Sequence, residues 1–327
     1  MRIQKNTIIK TGVRLADQYL ILIIFMAVMA AFYVWSPEFF SKSNLQRVFS
    51  INIGLFIATL GLLFIVTVGG MDLSLGYQIS LITAVLGKML HAGTAPVITI
   101  LLALLVGVCC GLINGLCITK FNVPAFALTL GTQTVYKGLA YVIANGRVYN
   151  SLPQWFLSIT GTSLLHIHSS VWIVTLCAAV TFSIFHFTYL GKHIIAIGEN
   201  ERATKKSGIN IKMTKIICYA LGGLFYAVAA IVMSSRSGTA TTSNGVGREI
   251  TALAAVFLSY AYFQRSNWQK KNFNIWRLAI SVLLVGSIEI EMQYIGWNIF
   301  VRYIIIGILL ILSLISYGRR SVNCGID

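Results

Sequence analysis

The sequence predicts an all-α protein: a polytopic helical bundle in a membrane, with about ten spanning segments. Three observations lead there. Of the 327 residues, 57% are hydrophobic and only 10% charged, with a mean hydropathy of +0.81. A soluble domain carries about a quarter charged residues and could not hide so much apolar surface at this length. The apolar residues also fall into runs close to the ~20 residues that a helix needs to cross hydrocarbon. Finally, the basic residues behind the net charge of +16 sit in short connectors between those runs. That is a topology signal of a membrane protein, so lipid and not nucleic acid is the expected surrounding.

Taken in order, the expected spans are about 18–36, 51–68, 73–90, 96–117, 123–143, 169–187, 216–234, 249–263, 274–289 and 297–316. The first follows Arg2, Lys5, Lys10 and Arg14, a pattern shared with signal peptides. Its uncharged stretch from Tyr19 to Ser36 is longer than a signal core, so it reads as an uncleaved anchor, with cleavage near Ala30 and Ala31 as the alternative. The fifth begins at Val123-Pro124 and contains Gly131 and Gly138, which predicts a broken or kinked helix. The eighth is short enough to be re-entrant.

Ten spans put both termini on one side. With the N-terminus inside, the inner connectors hold 17 Lys and Arg against 7 outside, with Lys137 within a span. This asymmetry supports cytoplasmic termini and a multi-pass membrane protein. No connector is long enough to fold alone, so the chain reads as a single transmembrane domain over 1–327. Any energy-converting or ligand-binding domain must then come from another protein.

The six cysteines, Cys109, Cys110, Cys117, Cys177, Cys218 and Cys324, form no C-x-x-C pair and read as small hydrophobes. The histidines read as interfacial residues, and no metal, cofactor or catalytic constellation emerges. Glu289 and Glu291 are expected to meet water at a helix end. Asp72 stands out in Gly69-Gly70-Met71-Asp72-Leu73-Ser74-Leu75-Gly76, between two long apolar runs. Its carboxylate must be solvated, capped or functional. Three readings stay open: a cap on the third span with the glycines making the turn, an ion or proton site, and a role at the inner interface of a transporter. The connector Gly191 to Ile209 predicts a short helix capped by Asn200, with Glu201 in its first turn, Lys205 and Lys206 in its last, and Gly208 as a left-handed stop.

At these residues the sequence resembles permease subunits of the ribose/xylose-type monosaccharide ABC transporters. Gly69 to Gly76 is similar to the family's Gly-Gly-Ile-Asp-Leu-Ser-Val-Gly. Val123-Pro124-Ala125-Phe126, Leu130-Gly131-Thr132, Gly138-Leu139-Ala140 and Asn145-Gly146 resemble its central segment. Gly191, Ala196, Gly198, Asn200, Ala203 and Gly208 fall on its coupling-loop pattern. Ser235-Arg236-x-Gly238 and Gly245-x-Gly247-x-Glu249, with Ala252, Ala254 and Ala255, continue the likeness, which covers about residues 50 to 258. After Leu258 the family's glycine turn is replaced by Ser259-Tyr260-Ala261-Tyr262-Phe263-Gln264-Arg265, and its acidic residue two places after the glutamate is Thr251. Aromatic residues resist positive φ, so a tight turn there must be rebuilt or lost. The final span, from Trp297-Asn298-Ile299-Phe300 into Ile304-Ile305-Ile306-Gly307, again resembles the family.

The resemblance implies an ABC importer permease that moves a monosaccharide by alternating access. It implies a second permease subunit, identical or sister, a cytoplasmic ABC ATPase that binds the ATP, and a periplasmic sugar-binding protein. It assigns Gly191, Ala196, Gly198, Asn200, Ala203 and Gly208 to ATPase coupling. Gly69, Gly70, Asp72, Ser74 and Gly76 become an inner-face motif. Arg236, Gly245, Gly247 and Glu249 become outer-face or path candidates. The contrasting readings are an ion-coupled secondary transporter resting on Asp72, and a permease copy that no longer pumps.

Overall fold

The computed structural model describes residues 25–165, 167–261 and 275–322. Its helices are α1 (Phe25–Trp35), α2 (Lys42–Thr67), α3 (Leu75–His91), α4 (Pro96–Phe121), α5 (Ala125–Ala144), α6 (Gln154–Gly161) and α7 (Ser169–Phe187). They continue with α8 (Tyr189–Glu199), α9 (Glu201–Lys206), α10 (Ile211–Ser237), α11 (Arg248–Ala261), α12 (Ile275–Tyr294) and α13 (Ile299–Val322). A two-stranded antiparallel pair, β1 (Ser163–Leu164) and β2 (Ile167–His168), pairs Ser163 with His168 and Leu164 with Ile167. This is a helical membrane bundle. Among the described residues, α2, α4, α7 and α10 are each long and apolar enough to cross a membrane alone.

The chain divides into two compact units, Ile53–Ala252 and the pair Met1–Asn52 with Leu253–Asp327. In the first, α2 is central and α7 peripheral: 78% of the apolar window of α2 is buried, against 17% of that of α7. Small residues make the packing close. Gly107 lies against the Gly223 carbonyl, Gly111 against the Tyr219 carbonyl and Gly115 against Ile216. Recurring every four residues, these three form one stripe of α4 on which α10 lies, the small-residue packing common between membrane helices. On its other side α10 meets α2, where Gly61 abuts Phe225 and Gly222 abuts Ile65.

Helices α3 and α5 run side by side in one direction. The Leu73 N–H donates to Thr129 Oγ1 (3.2 Å) at their start, and Gly87 meets Tyr149 just past the end of α5. Tyr136, Ala140 and Ala144 of α5 bury one face against Leu81 and Ala84 of α3 and Cys110 of α4. α5 is one continuous helix through Gly131 and Gly138, so the break that the sequence offered as one of two forms does not occur within it. A Cβ at either glycine would meet nothing within 4 Å. The break falls instead just before it, where Asn122 ends α4 in a left-handed conformation (φ 52) and Pro124 precedes α5.

In the other unit, Phe39 and Val48 pack with Ile290, flanked by Phe32, Phe40 and Ile51. Trp35 meets Trp297 edge-on, and the Tyr294 hydroxyl donates to Glu38 Oε2 (3.2 Å). Glu289 and Glu291 do not meet water as expected. They are 7% and 0% exposed, and Glu289 accepts from Arg302 Nη1 at 3.0 Å. The predicted rebuilding of the glycine turn is described only to Ala261: Ser259 and Tyr260 simply continue α11, and Tyr262 to Arg265 lie outside the described residues.

Candidate functional site: a strap at one end and a buried polar break within

The chain between α7 and α10 folds into two short helices. Thr188 caps α8 by accepting the Gly191 N–H (3.2 Å), and Gly191 is pressed onto the Ile184 carbonyl, where no side chain would fit. Asn200 Oδ1 accepts the Ala203 N–H (2.9 Å) and so caps α9. Thr204 Oγ1 donates back to the Ala196 carbonyl (2.8 Å), tying α9 to α8. Glu201 pairs with Lys215 at 2.8 Å, and Gly208 stops the helix with φ +80. The local capping read from the sequence is therefore present. Helix α8 was not expected, because its two glycines resemble breakers; both instead mark close backbone contacts. Ile194 and Ile197 anchor this strap, whereas Glu201, Arg202, Ala203, Lys205 and Lys206 are exposed.

Gly198 carries the decisive contact. A Cβ there would overlap the Thr67 carbonyl, so α8 sits directly on the end of α2, next to Gly69. Gly69 turns the chain with φ +84, and Gly70 passes beside the Tyr219 hydroxyl, which donates to the Met71 carbonyl at 3.0 Å. From there the chain climbs into the bundle. Tyr219 and Tyr226 stand about 12 and 22 Å along α10 from Ile211, and Asn114 about 10 Å from the end of α4.

Asp72 lies at this level, 1% exposed. One carboxylate oxygen accepts from the Ser74 N–H (2.8 Å) and hydroxyl (2.6 Å), the other from Gln78 Nε2 (3.2 Å). Ser74 Oγ in turn accepts from Gln78 (2.8 Å) and from Asn114 Nδ2 (2.9 Å), while Asn114 Oδ1 accepts from the Tyr136 hydroxyl (3.1 Å). A carboxylate in such a place costs several kcal/mol unless donors surround it, and these do. Asp72 is not the cap expected from the sequence: Ser74 holds the N-cap position of α3, and Asp72 accepts no N–H from its first turn but binds Ser74, which links to Asn114 of α4 and through it to Tyr136 of α5. The glycine-aspartate motif runs from Gly69, beside the strap at the end of α2, to Asp72, Ser74 and Gly76, which are buried.

Gly245 and Glu249 reach the same level from the opposite end. Tyr149 and Ala240 exchange backbone hydrogen bonds near Gly87, and the chain then descends along α3 until the Gly245 N–H meets Ser80 Oγ (3.3 Å). Gly245 and Gly76 touch backbone to backbone, and the Glu249 carboxylate packs on Gly76. Glu249, read from the sequence as an outer-face or path candidate, is 7% exposed. Gly247 turns the chain with φ +81, and Thr251, the departure from the acidic pattern, donates to the Gly247 carbonyl (3.2 Å). Arg236 stays near the end of α10. Sequence reasoning missed Gln78, Asn114 and Tyr136; a polar residue recurring within apolar runs was their only signal. No group of metal-binding side chains occurs among the described residues.

The family described as the permease component of branched-chain amino acid transport systems matches residues 44–314. The chain belongs to this family of ABC-transporter permeases. It is 32% identical to the ribose import permease protein RbsC of Haemophilus influenzae over 73% of this chain and 74% of that one. Against the autoinducer 2 import system permease protein LsrD of Yersinia enterocolitica it is 32% identical over 90% and 91% of the two chains. Against the L-arabinose transport system permease protein AraH of Escherichia coli the identity is 26% over 92% and 90%. No solved structure gives a significant match. The family match runs past Leu258, so the altered stretch and the final helix both lie within this permease. Its relatives are transport permeases, and it is a transmembrane transport protein.

Proposed function

We propose that this permease is the membrane subunit of an ATP-driven importer that carries a monosaccharide, ribose- or arabinose-like, across the bacterial inner membrane. It works as one transmembrane domain of about ten spans with cytoplasmic termini. A second permease subunit faces it, an ABC ATPase docks from the cytoplasm, and a periplasmic sugar-binding protein delivers the solute. Membrane lipid surrounds the whole.

One observation carries the reading. The strap exposes α9 while seating Gly198 on the end of α2, beside the glycine-aspartate break. Docked in a groove of the ATPase, α9 moves when the nucleotide domains close. Because α8 has no side chain at Gly198 to cushion the contact, that motion is passed to the Thr67–Gly70 turn and then to the Asp72 level. There the helix break at 68–74 lets α3 tilt against α4 and α10. Two packings of the bundle, selected by ATP and by the loaded binding protein, give alternating access. Gly191, Ala196, Gly198, Asn200, Ala203 and Gly208 are coupling residues in this scheme. Gly69, Gly70, Asp72, Ser74, Gly76, Gly245, Gly247 and Glu249 form the moving joint, and Arg236 lies toward the binding protein.

The test is co-purification of the partner ATPase from membranes expressing wild type or Ala203→Glu. The reading expects the ATPase with wild type and its loss from the variant. An ATPase held equally by both would remove α9 from the interface.

A further inference from the structure

Helix α10 carries two buried tyrosines on one face. Tyr219 and Tyr226 are 1% and 0% exposed. Their spacing of seven puts them within about 20° of each other around the helix and about 10 Å apart along it. Both are held by glycines of neighbouring helices: Gly111 of α4 lies against the Tyr219 carbonyl, and Gly61 of α2 against the Tyr226 ring. Both also bring a hydroxyl to the segment between α2 and α3. The Tyr219 hydroxyl donates to the Met71 carbonyl at 3.0 Å. The Tyr226 hydroxyl lies beside the Asp72 carboxyl.

The second contact is incomplete. A buried tyrosine hydroxyl normally finds a hydrogen-bond partner, and that of Tyr226 has none among the described residues. Asp72 meanwhile accepts three bonds, from the Ser74 N–H, the Ser74 hydroxyl and Gln78 Nε2. A carboxylate offers about four lone-pair positions, so an acceptor position is left beside a donor that lacks an acceptor. The two sides of this gap differ in stiffness. The tyrosines stand on a continuous helix packed against α4 and α2, whereas residues 68–74 belong to no helix and turn at Gly69 with φ +84. The segment is the side free to shift.

We propose that Tyr226 is a positioning residue for the transport cycle: in the second packing of the bundle its hydroxyl donates to the Asp72 carboxylate. The packing described here, with Tyr219 on Met71 and Tyr226 unpaired, is one resting place of the segment. The packing with Tyr226 on Asp72 is the other. A bond made in one packing alone favours that packing by its own strength, about tenfold in population for a hydroxyl on a carboxylate. The inference rests on the alternating-access reading and adds to it the residue that steadies the second state.

The experiment removes one hydroxyl at a time and keeps each ring. Purified permease is melted in detergent. Tyr219→Phe loses its bond to Met71 and melts lower, while Tyr226→Phe loses no bond and melts at or above the wild-type midpoint. The transporter assembled with its ATPase and binding protein is then held with ATP and vanadate, where Tyr226→Phe melts below wild type. In proteoliposomes its ATP-driven uptake of radiolabelled ribose or arabinose turns over about tenfold more slowly. A Tyr226→Phe permease that melts as low as Tyr219→Phe, a trapped complex as stable as wild type, or an unchanged uptake rate overturns the proposal. A wild-type assembly without ATP-driven uptake would instead overturn the importer reading, and the second packing with it.

Discussion

At the scale of single residues, the bundle depends on places where a side chain is missing or a polar atom is matched. At Gly76 a methyl group would fall on the Glu249 carboxylate and the Gly245 carbonyl. Gly76→Ala is therefore expected to destabilise the purified protein by about 1–3 kcal/mol, lowering its thermal midpoint in detergent. Gly131→Ala meets open space and removes a helix-weakening glycine, so its midpoint should hold or rise. Asn114 is matched on both sides, donating to Ser74 and accepting from Tyr136. Asn114→Ala removes one bond from each, while Ser74 keeps Asp72 and Gln78 and Tyr136 keeps the Cys110 carbonyl, so the expected loss is about 1 kcal/mol in the same melt. The prominence of Asp72 was legible because a carboxylate between apolar runs is costly wherever it sits. Its partners were not, since Gln78, Asn114 and Tyr136 belong to three helices that only the fold brings together.

At the scale of elements, α9 is too short to be stable alone. Its order comes from the Asn200 cap, the Thr204 tie to Ala196 and the half-exposed Glu201–Lys215 pair, the last worth little by itself. Asn200→Ala should cost this helix about 1 kcal/mol. Amide hydrogen exchange over residues 203–207 should accelerate several-fold while α4 and α10 keep their protection; uniform acceleration would mean that the strap is part of the core. Both ends of α9 could be read from the sequence because caps and left-handed stops are local. Helix α8 could not, since Gly191 and Gly198 serve contacts with Ile184 and Thr67 that lie far away or across a turn. The break offered for α5 is absent for a related reason: glycine permits an interruption without imposing one, and the helix runs on through Gly131 and Gly138. In α4 the glycines do the reverse and allow contact with α10. Gly111→Leu should force these helices apart and sharply reduce the folded yield in membranes, with Gly138→Leu as the tolerated comparison.

At the scale of the whole molecule, composition alone carried the class, because so apolar a chain has one solvent. The order of motifs then carried the family. What remained hidden was contact. The inner-face motif and the outer-face or path candidates Gly245 and Glu249 were read as separate groups, and the fold brings them together at Gly76. In the mechanism we propose, this buried joint is linked to the exposed strap through Gly198 and Thr67, and the permease is a lever worked from the end where an ATPase docks. The most direct test is uptake of radiolabelled ribose and arabinose by proteoliposomes containing the permease, its ATPase and its binding protein. The account predicts accumulation that requires ATP on the ATPase side, survives ionophores, and is lost in Gly198→Val although the variant remains folded. Accumulation without ATP that collapses with an ionophore would contradict it.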